Sequence, residues 1–362
     1  MPRSYPMLLA AIIAAGGWYF TKGPGAGKFP DFLNSITHSQ TGGGQFGQPG
    51  SFPQNSAYPT QQPATPVQAN YNGQPAMPPA VAPPTPMNGG PSIRIATFNI
   101  QVFGEDKASK PYVMATLASI IQRFQVVAIQ EIRTKNEYFI DEFLRNYVNK
   151  NGRMYDKVIG PRLGRTDSKE QYAFLYDTAA IEVNPRCIFT VNDPDDLLQR
   201  EPLVAMFRVR GPPAQQAFTF VLIDMHTEPK TVKQEMDALG QVYQAVRRAC
   251  PGEDDVILLG DLNTDDQHLG DLGRIAGIMP IVQHTFTNTH QTHQYDNIII
   301  HRPSTTEFMG HWGVLNVQKE FGLSLEQALQ VSDHFPVWAE FNAYESTTPG
   351  RVASRDDVLQ MH

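Results

Sequence analysis

The chain has 362 residues, 41% hydrophobic and 18% charged, which leaves ample apolar material for a sizeable core. Its net charge is −7, and Cys187 and Cys250 are its only cysteines. This balance excludes a protein that grips nucleic acid by bulk positive charge, and the cysteine count excludes a disulfide scaffold or a Cys-rich zinc site.

In chain order, the first feature is the run "MPRSYPMLLAAIIAAGGWYFTKG". Arg3 and Lys22 bracket an uncharged stretch. Its apolar heart, Met7 to Phe20, is short for a full membrane span and right for the apolar region of an export signal. Trp18-Tyr19-Phe20 ahead of Lys22 has the character of an interfacial belt and favours an uncleaved anchor, while Ala14-Ala15-Gly16 offers a small-x-small cleavage site. Residues 1–21 are therefore expected to export the chain, which would stay membrane-anchored or become secreted or periplasmic after cleavage. A linker over 22–92 follows, with Lys22, Lys28 and Asp31 as its only charges as far as Pro91. Gly, Pro, Gln and Asn dominate it and no hydrophobic period persists, so a disordered tether is expected. A flexible chain of that length has a root-mean-square reach on the order of 40–50 Å.

Folded structure is expected over 93–344, as one α/β domain in which short β-branched runs alternate with helical ones. The strand candidates are "IRIATFNI", "QVVAIQEI", "AFLYD", "LVAMFRV", "FTFVLIDMH", "DVILLGDLN", "YDNIIIH" and "FPVWAEF". Helical spacing is found in "SKPYVMATLASIIQRF", with Ser109 as the expected N-cap and Pro111 in the first turn, in "NEYFIDEFLRNYVNK" and in "TVKQEMDALGQVYQAVRRAC". Residues 345–362 are expected to be a polar tail. Whether Cys187 and Cys250 pair with each other is left open by the sequence.

Polar residues collect where the strand candidates end. Asn99 closes the first, Glu131 and Arg133 the second, His226 the run "LIDMH", and Asp261 and Asn263 the run "ILLGDLN". Asp296 opens one late strand and Asp333-His334 another. Buried charges are costly unless paired or bound to a metal. Strand-end carboxylates are therefore most economically read as oxygen ligands for Mg²⁺ or Mn²⁺. Two histidines nearby supply an acid and a base near neutral pH. Together these are the tools for attack of water on phosphorus. Singly, each has a plainer reading: "GDLN" as a turn with Gly260 for backbone freedom, or "SDH" as an Asx-type turn.

The ordered set "IRIATFNIQVFGEDK…QVVAIQEIR…GRTDSKEQYAFLY…REPLVAMF…DMHTEP…VILLGDLNTD…YDNIII…SDHFPVWAEF" resembles the endonuclease/exonuclease/phosphatase superfamily, and within it the deoxyribonuclease I group. The likeness spans Ile93 to Phe341. It implies a four-layer sandwich, with two packed mixed β-sheets flanked by helices and the active site at one end of the strands. It further implies that Glu131 binds Mg²⁺ with Asn99 and Asp333 close by, joined at the metal and phosphate by Asp261. His226 and His334 would be the acid/base pair, oriented by Glu170 and Asp296 respectively. Asn263 would hold the scissile phosphate, and Arg133 and Arg200 would contact the substrate; apart from the resemblance, Arg162, Arg165 and Lys169 make a small basic stretch that either grips substrate phosphates or is an ordinary solvated loop. The implied chemistry is hydrolysis of a DNA phosphodiester to 5′-phosphate and 3′-hydroxyl ends.

There are departures. Ser168 in "GRTDSKEQY" stands where the family pattern has a Tyr that wedges into the DNA minor groove. Neither the calcium loops nor the disulfides of the secreted animal enzyme are recognisable, so Ca²⁺ stays open beside Mg²⁺ and Mn²⁺. His284, His290 and His293 in "HTFTNTHQTHQYD" offer imidazoles to a transition metal or form an ordinary loop. The rival readings are a phosphomonoesterase or phospholipid phosphodiesterase of the same superfamily, which would suit a membrane tether, and an inactive binding module. The expected partners are DNA and, through the N-terminal segment, a membrane.

Overall fold

The computed structural model describes residues 92–165 and 169–345. The signal or anchor segment, the linker up to residue 91, Ser168 and the tail beyond Glu345 lie outside the described residues. Among the described residues no helix is long and apolar enough to cross a membrane.

The strands in chain order are β1 (Ser92–Phe103), β2 (Val126–Ile132), β3 (Tyr155–Ile159), β4 (Gln171–Asp177), β5 (Ile181–Thr190), β6 (Leu203–Val209), β7 (Thr219–His226), β8 (Val256–Asp261), β9 (Ile278–Pro280), β10 (Asp296–His301), β11 (Phe308–Val314) and β12 (Val337–Asn342). They form two six-stranded sheets, ordered β11-β12-β1-β2-β4-β3 and β5-β6-β7-β8-β10-β9. Each sheet is built alike. A parallel pair sits at its centre, β1 with β2 and β7 with β8, and every other pairing is antiparallel. The C-terminal ends of the parallel pair therefore share one rim with the N-terminal ends of their antiparallel neighbours, β12 and β4 in one sheet and β10 and β6 in the other.

The helices are α1 (Glu105–Ala108), α2 (Pro111–Ile121), α3 (Phe139–Phe143) with a π-helical turn over Leu144–Val148, α4 (Val232–Ala249), α5 (Gly270–Gly273), α6 (Val317–Phe321) and α7 (Leu325–Val331). Side-chain alternation along the strands divides the interior into three cores. Ile95, Ala128 and Phe174 of one sheet meet Phe207, Leu222, Ile257 and Ile298 of the other between the sheets. Phe98, Val127 and Leu175 face outward onto α2, α3 and α7. Val221, Ile223 and Leu258 face outward onto α4 and α5. The result is helix, sheet, sheet, helix: the expected four-layer sandwich.

The helix ends differ in detail from the expectation. Lys110, not Ser109, is the N-cap of α2. Ser109 instead closes α1, and its hydroxyl donates to the Asp106 carbonyl at 2.7 Å. Pro111 does sit in the first turn of α2, where its missing N–H costs nothing.

Candidate active site

The inner face of each central strand becomes polar toward the shared rim. Along β1 the inner residues run Ile93, Ile95, Thr97, Asn99, and along β7 they run Phe220, Leu222, Asp224, His226. On β8 the series is Ile257, Leu259, Asp261, and on β10, read backward, Ile300, Ile298, Asp296. Registration completes the assembly. Asp261 lies directly opposite His226 on one side and Asp296 on the other. Gly260 is needed for this row and belongs to the strand rather than to a turn. Its φ is +149°, and a Cβ there would stand 1.7 Å from the Met225 carbonyl oxygen.

Glu131 breaks the alternation. The preceding Gln130 is an inner residue, so an ordinary strand would turn Glu131 outward. Instead Glu131 adopts φ +63° where the β1–β2 and β2–β4 registers both shift. This is a β-bulge that re-aims a side chain at a conformational cost. Its Oε1 then accepts from Asn99 Nδ2 at 3.3 Å and its Oε2 from the Val102 N–H at 2.9 Å. Val102 (φ +48°) and Asn263 (φ +48°) are left-handed too, so backbone strain gathers around the same rim.

Two carboxylate–imidazole pairs face each other across it. His226 Nδ1 donates to Glu170 Oε1 at 2.7 Å, and His334 Nδ1 donates to Asp296 Oδ2 at 2.9 Å. Both Nε2 atoms then point at one oxygen, Asp261 Oδ2, each from 3.5 Å. That oxygen also accepts from Asn99 Nδ2 at 2.9 Å. Asp261 Oδ1 takes the Asn263 N–H at 3.0 Å, and Asn263 Nδ2 donates to the Thr227 carbonyl at 2.9 Å.

The electrostatics follow from these pairings. Burial alone would raise Glu170, but His226, Arg200 and Arg133 outweigh it and hold the carboxyl below its ordinary value. Burial also works to raise Asp261, and the two imidazoles again win, keeping it low. Burial would lower both histidines. Glu170 and Asp261 instead lift His226, and Asp296, Asp261 and Asp333 push His334 up to about 10. Asp296 itself is raised by complete burial.

The expected ligand residues meet at the same rim. Asn99 Oδ1 is buried with no hydrogen-bond partner, beside the Glu131 carboxylate. The Asp333 side chain is 40% exposed, and its Oδ2 accepts from Gln101 Nε2 at 2.9 Å. Carboxylate and amide oxygens of this kind fit a small hard divalent cation. Asp261, Asp296 and His334 also offer ligand atoms within 4.8 Å of one another. Within this trio His334 Nδ1 and Asp296 Oδ2 are already engaged with each other at 2.9 Å.

The arginines separate. Arg133 spans Glu131 Oε2 at 3.2 Å and Glu170 Oε2 at 3.3 Å from the mouth of the site, with its side chain 27% exposed. Arg200 departs from the expectation of a substrate contact. Its guanidinium is buried and directed inward, with Nε 3.0 Å from Glu170 Oε1 and Nη2 donating to the His226 carbonyl at 3.1 Å. The reason is electrostatic: a fully buried Glu170 needs a compensating charge, and Arg200 supplies it. Arg165 is likewise held away from the cluster. It pairs with the Asp196 carboxylate at 2.9 Å and donates to the Leu198 carbonyl at 2.9 Å. Among the described residues His284, His290 and His293 form no trio with ligand atoms within 4.8 Å of one another; His293 stacks on Tyr295, with ring centroids 5.2 Å apart.

Several supporting residues carried no signal in the sequence. The Tyr172 hydroxyl accepts the His226 N–H at 3.0 Å, and Thr287 Oγ1 donates to Asp296 Oδ2 at 2.6 Å. Ser332 Oγ donates to the Asn99 carbonyl at 2.7 Å and accepts the His334 N–H at 3.1 Å, tying β1 to the loop ahead of β12. Lys107 is buried and donates to the Gln330 and Val331 carbonyls at the end of α7, at 3.0 and 2.9 Å. Ser332 and Tyr172 did stand close to residues singled out in the sequence, Asp333-His334 and Glu170 respectively.

Two convergent sheets carrying paired imidazoles and carboxylates on one rim define a phosphoester-handling class, and the comparisons agree: the chain belongs to the endonuclease/exonuclease/phosphatase family, whose model matches residues 96–334. Deoxyribonuclease gamma of Rattus norvegicus is 31% identical over 282 residues, which cover 73% of this chain and 89% of that relative. Deoxyribonuclease-1-like 1 of Sus scrofa is 32% identical over 268 residues, covering 70% of this chain and 82% of that relative. A solved structure of an endonuclease/exonuclease/phosphatase family protein from Bacteroides thetaiotaomicron aligns at 18% identity and a TM-score of 0.48, covering 69% of this chain and 94% of that one.

Proposed function

We propose that the chain is a divalent-metal-dependent endonuclease that hydrolyses DNA phosphodiesters to 5′-phosphate and 3′-hydroxyl ends. One observation carries the reading. His226 and His334 are each held at Nδ1 by a buried carboxylate, and both free Nε2 atoms converge on the same point beside Asp261. In-line displacement at phosphorus needs a base on one side and an acid on the other. One imidazole takes the proton of the attacking water while the other protonates the departing 3′-oxygen. Glu170 and Asp296 fix the tautomers, so that in each ring it is Nε2 that faces the phosphate. Asn263 and Arg133 lie at the mouth of the site, where one orients a phosphate oxygen and the other offsets its charge. Asn99, Glu131 and Asp333 would hold Mg²⁺ or Mn²⁺, which when bound offsets the negative charge that builds on the phosphoryl group. DNA as the substrate rests on the deoxyribonuclease relatives.

The test is nicking of supercoiled plasmid by the full-length protein, with Mg²⁺ or with EDTA. Nicks that appear only with Mg²⁺ and that DNA ligase reseals directly would carry 5′-phosphate and 3′-hydroxyl ends. His226→Ala and His334→Ala are each expected to lower the rate by on the order of 10²–10⁴. Folded protein that fails to nick DNA with either Mg²⁺ or Mn²⁺ would sink the proposal. Release of phosphate or headgroup from a phosphomonoester or phospholipid in its place would establish the rival chemistry.

A further inference from the structure

The two cysteines of the chain are 63 residues apart in sequence, yet Cys187 Sγ stands 3.1 Å from Cys250 Sγ. No short-range constraint brings them together. Cys187 lies on β5, an edge strand, and Cys250 is the C-cap of α4 on the outer face of the same sheet. From this juxtaposition we propose that Cys187 and Cys250 form a modification site: their thiols are oxidised to a disulfide that fastens β5 to α4.

The local structure gives the cross-link something to do. Pairing of β5 with β6 is interrupted between Val183 and Ile188, and Pro185 within the gap has no N–H to give a ladder. An edge strand with a broken ladder is the least secured element of a sheet. Cys187 sits at the end of this gap and packs against the outer core that contains Cys250. The bond would act where backbone hydrogen bonds are missing. It would join β5, whose end at Thr190 opens the loop that leads to Arg200, to the C-terminal end of the helix that follows His226.

The chemistry is thiol–disulfide exchange with a low-molecular disulfide such as oxidised glutathione. Cys187 is partly exposed and Cys250 is buried, so Cys187 is the thiol an oxidant can reach. The hydrogen bond from Cys250 also favours the Cys187 thiolate, lowering its pKa. The Cys187 thiolate attacks one sulfur of the oxidant and releases the first glutathione thiolate. Cys250 then attacks Cys187 Sγ in the mixed disulfide and releases the second. Two electrons pass to the oxidant, and the two cysteine protons end on the two glutathione thiols.

The experiment uses the full-length protein incubated with oxidised glutathione, then denatured and alkylated with and without prior reduction. The expected product takes up no alkylating group before reduction and two after it. It weighs less than the reduced chain by two hydrogens, and proteolysis yields a Cys187–Cys250 cross-linked peptide. Reduction is expected to lower Tm by on the order of 5–10 °C, while Cys187→Ser and Cys250→Ser should match the reduced protein and ignore reductant. Two alkylatable thiols after oxidation, or a glutathione adduct on Cys187 that persists unresolved, would overturn the proposal. So would a cross-link that leaves Tm unchanged, because the structural fastening is part of the claim.

Discussion

Arg200 illustrates how a residue's neighbours, rather than its type, set its task. A substrate contact and a charge support make different demands, and kinetics separates them. Arg200→Met leaves Glu170 ionised and buried without its closest arginine, a change on the order of 3–5 kcal/mol in stability. The expected outcome is a lower Tm and a lower kcat with little change in KM; a large rise in KM at unchanged Tm would return Arg200 to the substrate. Asp296→Asn tests the other imidazole. It keeps the shape around His334 but removes the charge that stabilises the imidazolium, so kcat is expected to fall by on the order of 10²–10⁴ while the fold survives. Gly260→Ala probes the backbone. With Met225 O only 1.7 Å from the new Cβ, β8 must shift and carry Asp261 with it. A loss of on the order of 2–4 kcal/mol by denaturant unfolding is expected, together with loss of activity.

Among the elements, the strands foreseen from the sequence and those that were not divide cleanly. The eight anticipated runs became β1, β2, β4, β6, β7, β8, β10 and β12, the inner strands of the two sheets. The strands not anticipated, β3, β5, β9 and β11, are the four edges. Inner strands are buried on both faces and read as unbroken apolar runs. An edge strand such as β11, "FMGHWGV", is only partly covered, and its pattern is diluted by Gly and His. The helix expected over "NEYFIDEFLRNYVNK" shortened to α3 and a π-helical turn for a related reason. Its apolar residues Phe139, Ile140, Phe143, Leu144 and Val148 seat against α2 at the cost of regular hydrogen bonding. The junction of α7 with the site gives a prediction at this scale. Lys107→Met removes both hydrogen bonds to the last carbonyls of α7, and a loss of on the order of 1–2 kcal/mol is expected, with slower turnover because the loop carrying Asp333 and His334 is no longer fixed.

Across the whole molecule, Glu170 and Asp261 at the active-site rim and the acidic cluster at the other end of the sandwich respond to pH in opposite directions, while the raised imidazoles of His226 and His334 add to the alkaline loss. At the active-site rim, Glu170 and Asp261 are held below their ordinary values. They contribute stability above the unfolded carboxylate range, and that stability is lost as pH falls through their folded values. At the opposite end of β8, Asp255 lies with Glu307 and Glu345, each offering an oxygen within 4.8 Å of the others. Burial, then Glu307, Glu253 and Glu345, push Asp255 up to about 9, and burial raises Glu345 to about 6. A raised carboxyl means that the folded state holds the proton more tightly than the unfolded one. Stability from this end is full below the unfolded value, 3.8 for Asp255, and is lost as pH climbs through 6 to about 9. Tm is therefore expected to fall on both sides of a maximum. Asp255→Asn should make the alkaline limb shallower, leaving the shares of Glu345 and His334, and leave activity near neutral pH unchanged; an alkaline limb as steep as that of the unsubstituted protein would refute the assignment.

The sequence by itself determined one α/β domain, its inner strands and the polar residues at their ends, and its motif resemblance implied the four layers and the candidate site. Apolar runs that stop at Asn99, Glu131, His226 and Asp261, or start at Asp296, announce both a buried strand and the polar rim at its end, because burial is a local property of a run. It did not reveal that Arg200 turns inward, that Glu131 escapes its own alternation through a left-handed bulge, or that Tyr172, Thr287, Ser332 and Lys107 hold the machinery in place. Nor did it bring Cys187 to Cys250. Those outcomes depend on which buried charge lies nearest across the sheets and which backbone group is left without a partner. Both are set by contacts between distant parts of the chain, and such contacts exist only once the two sheets have packed.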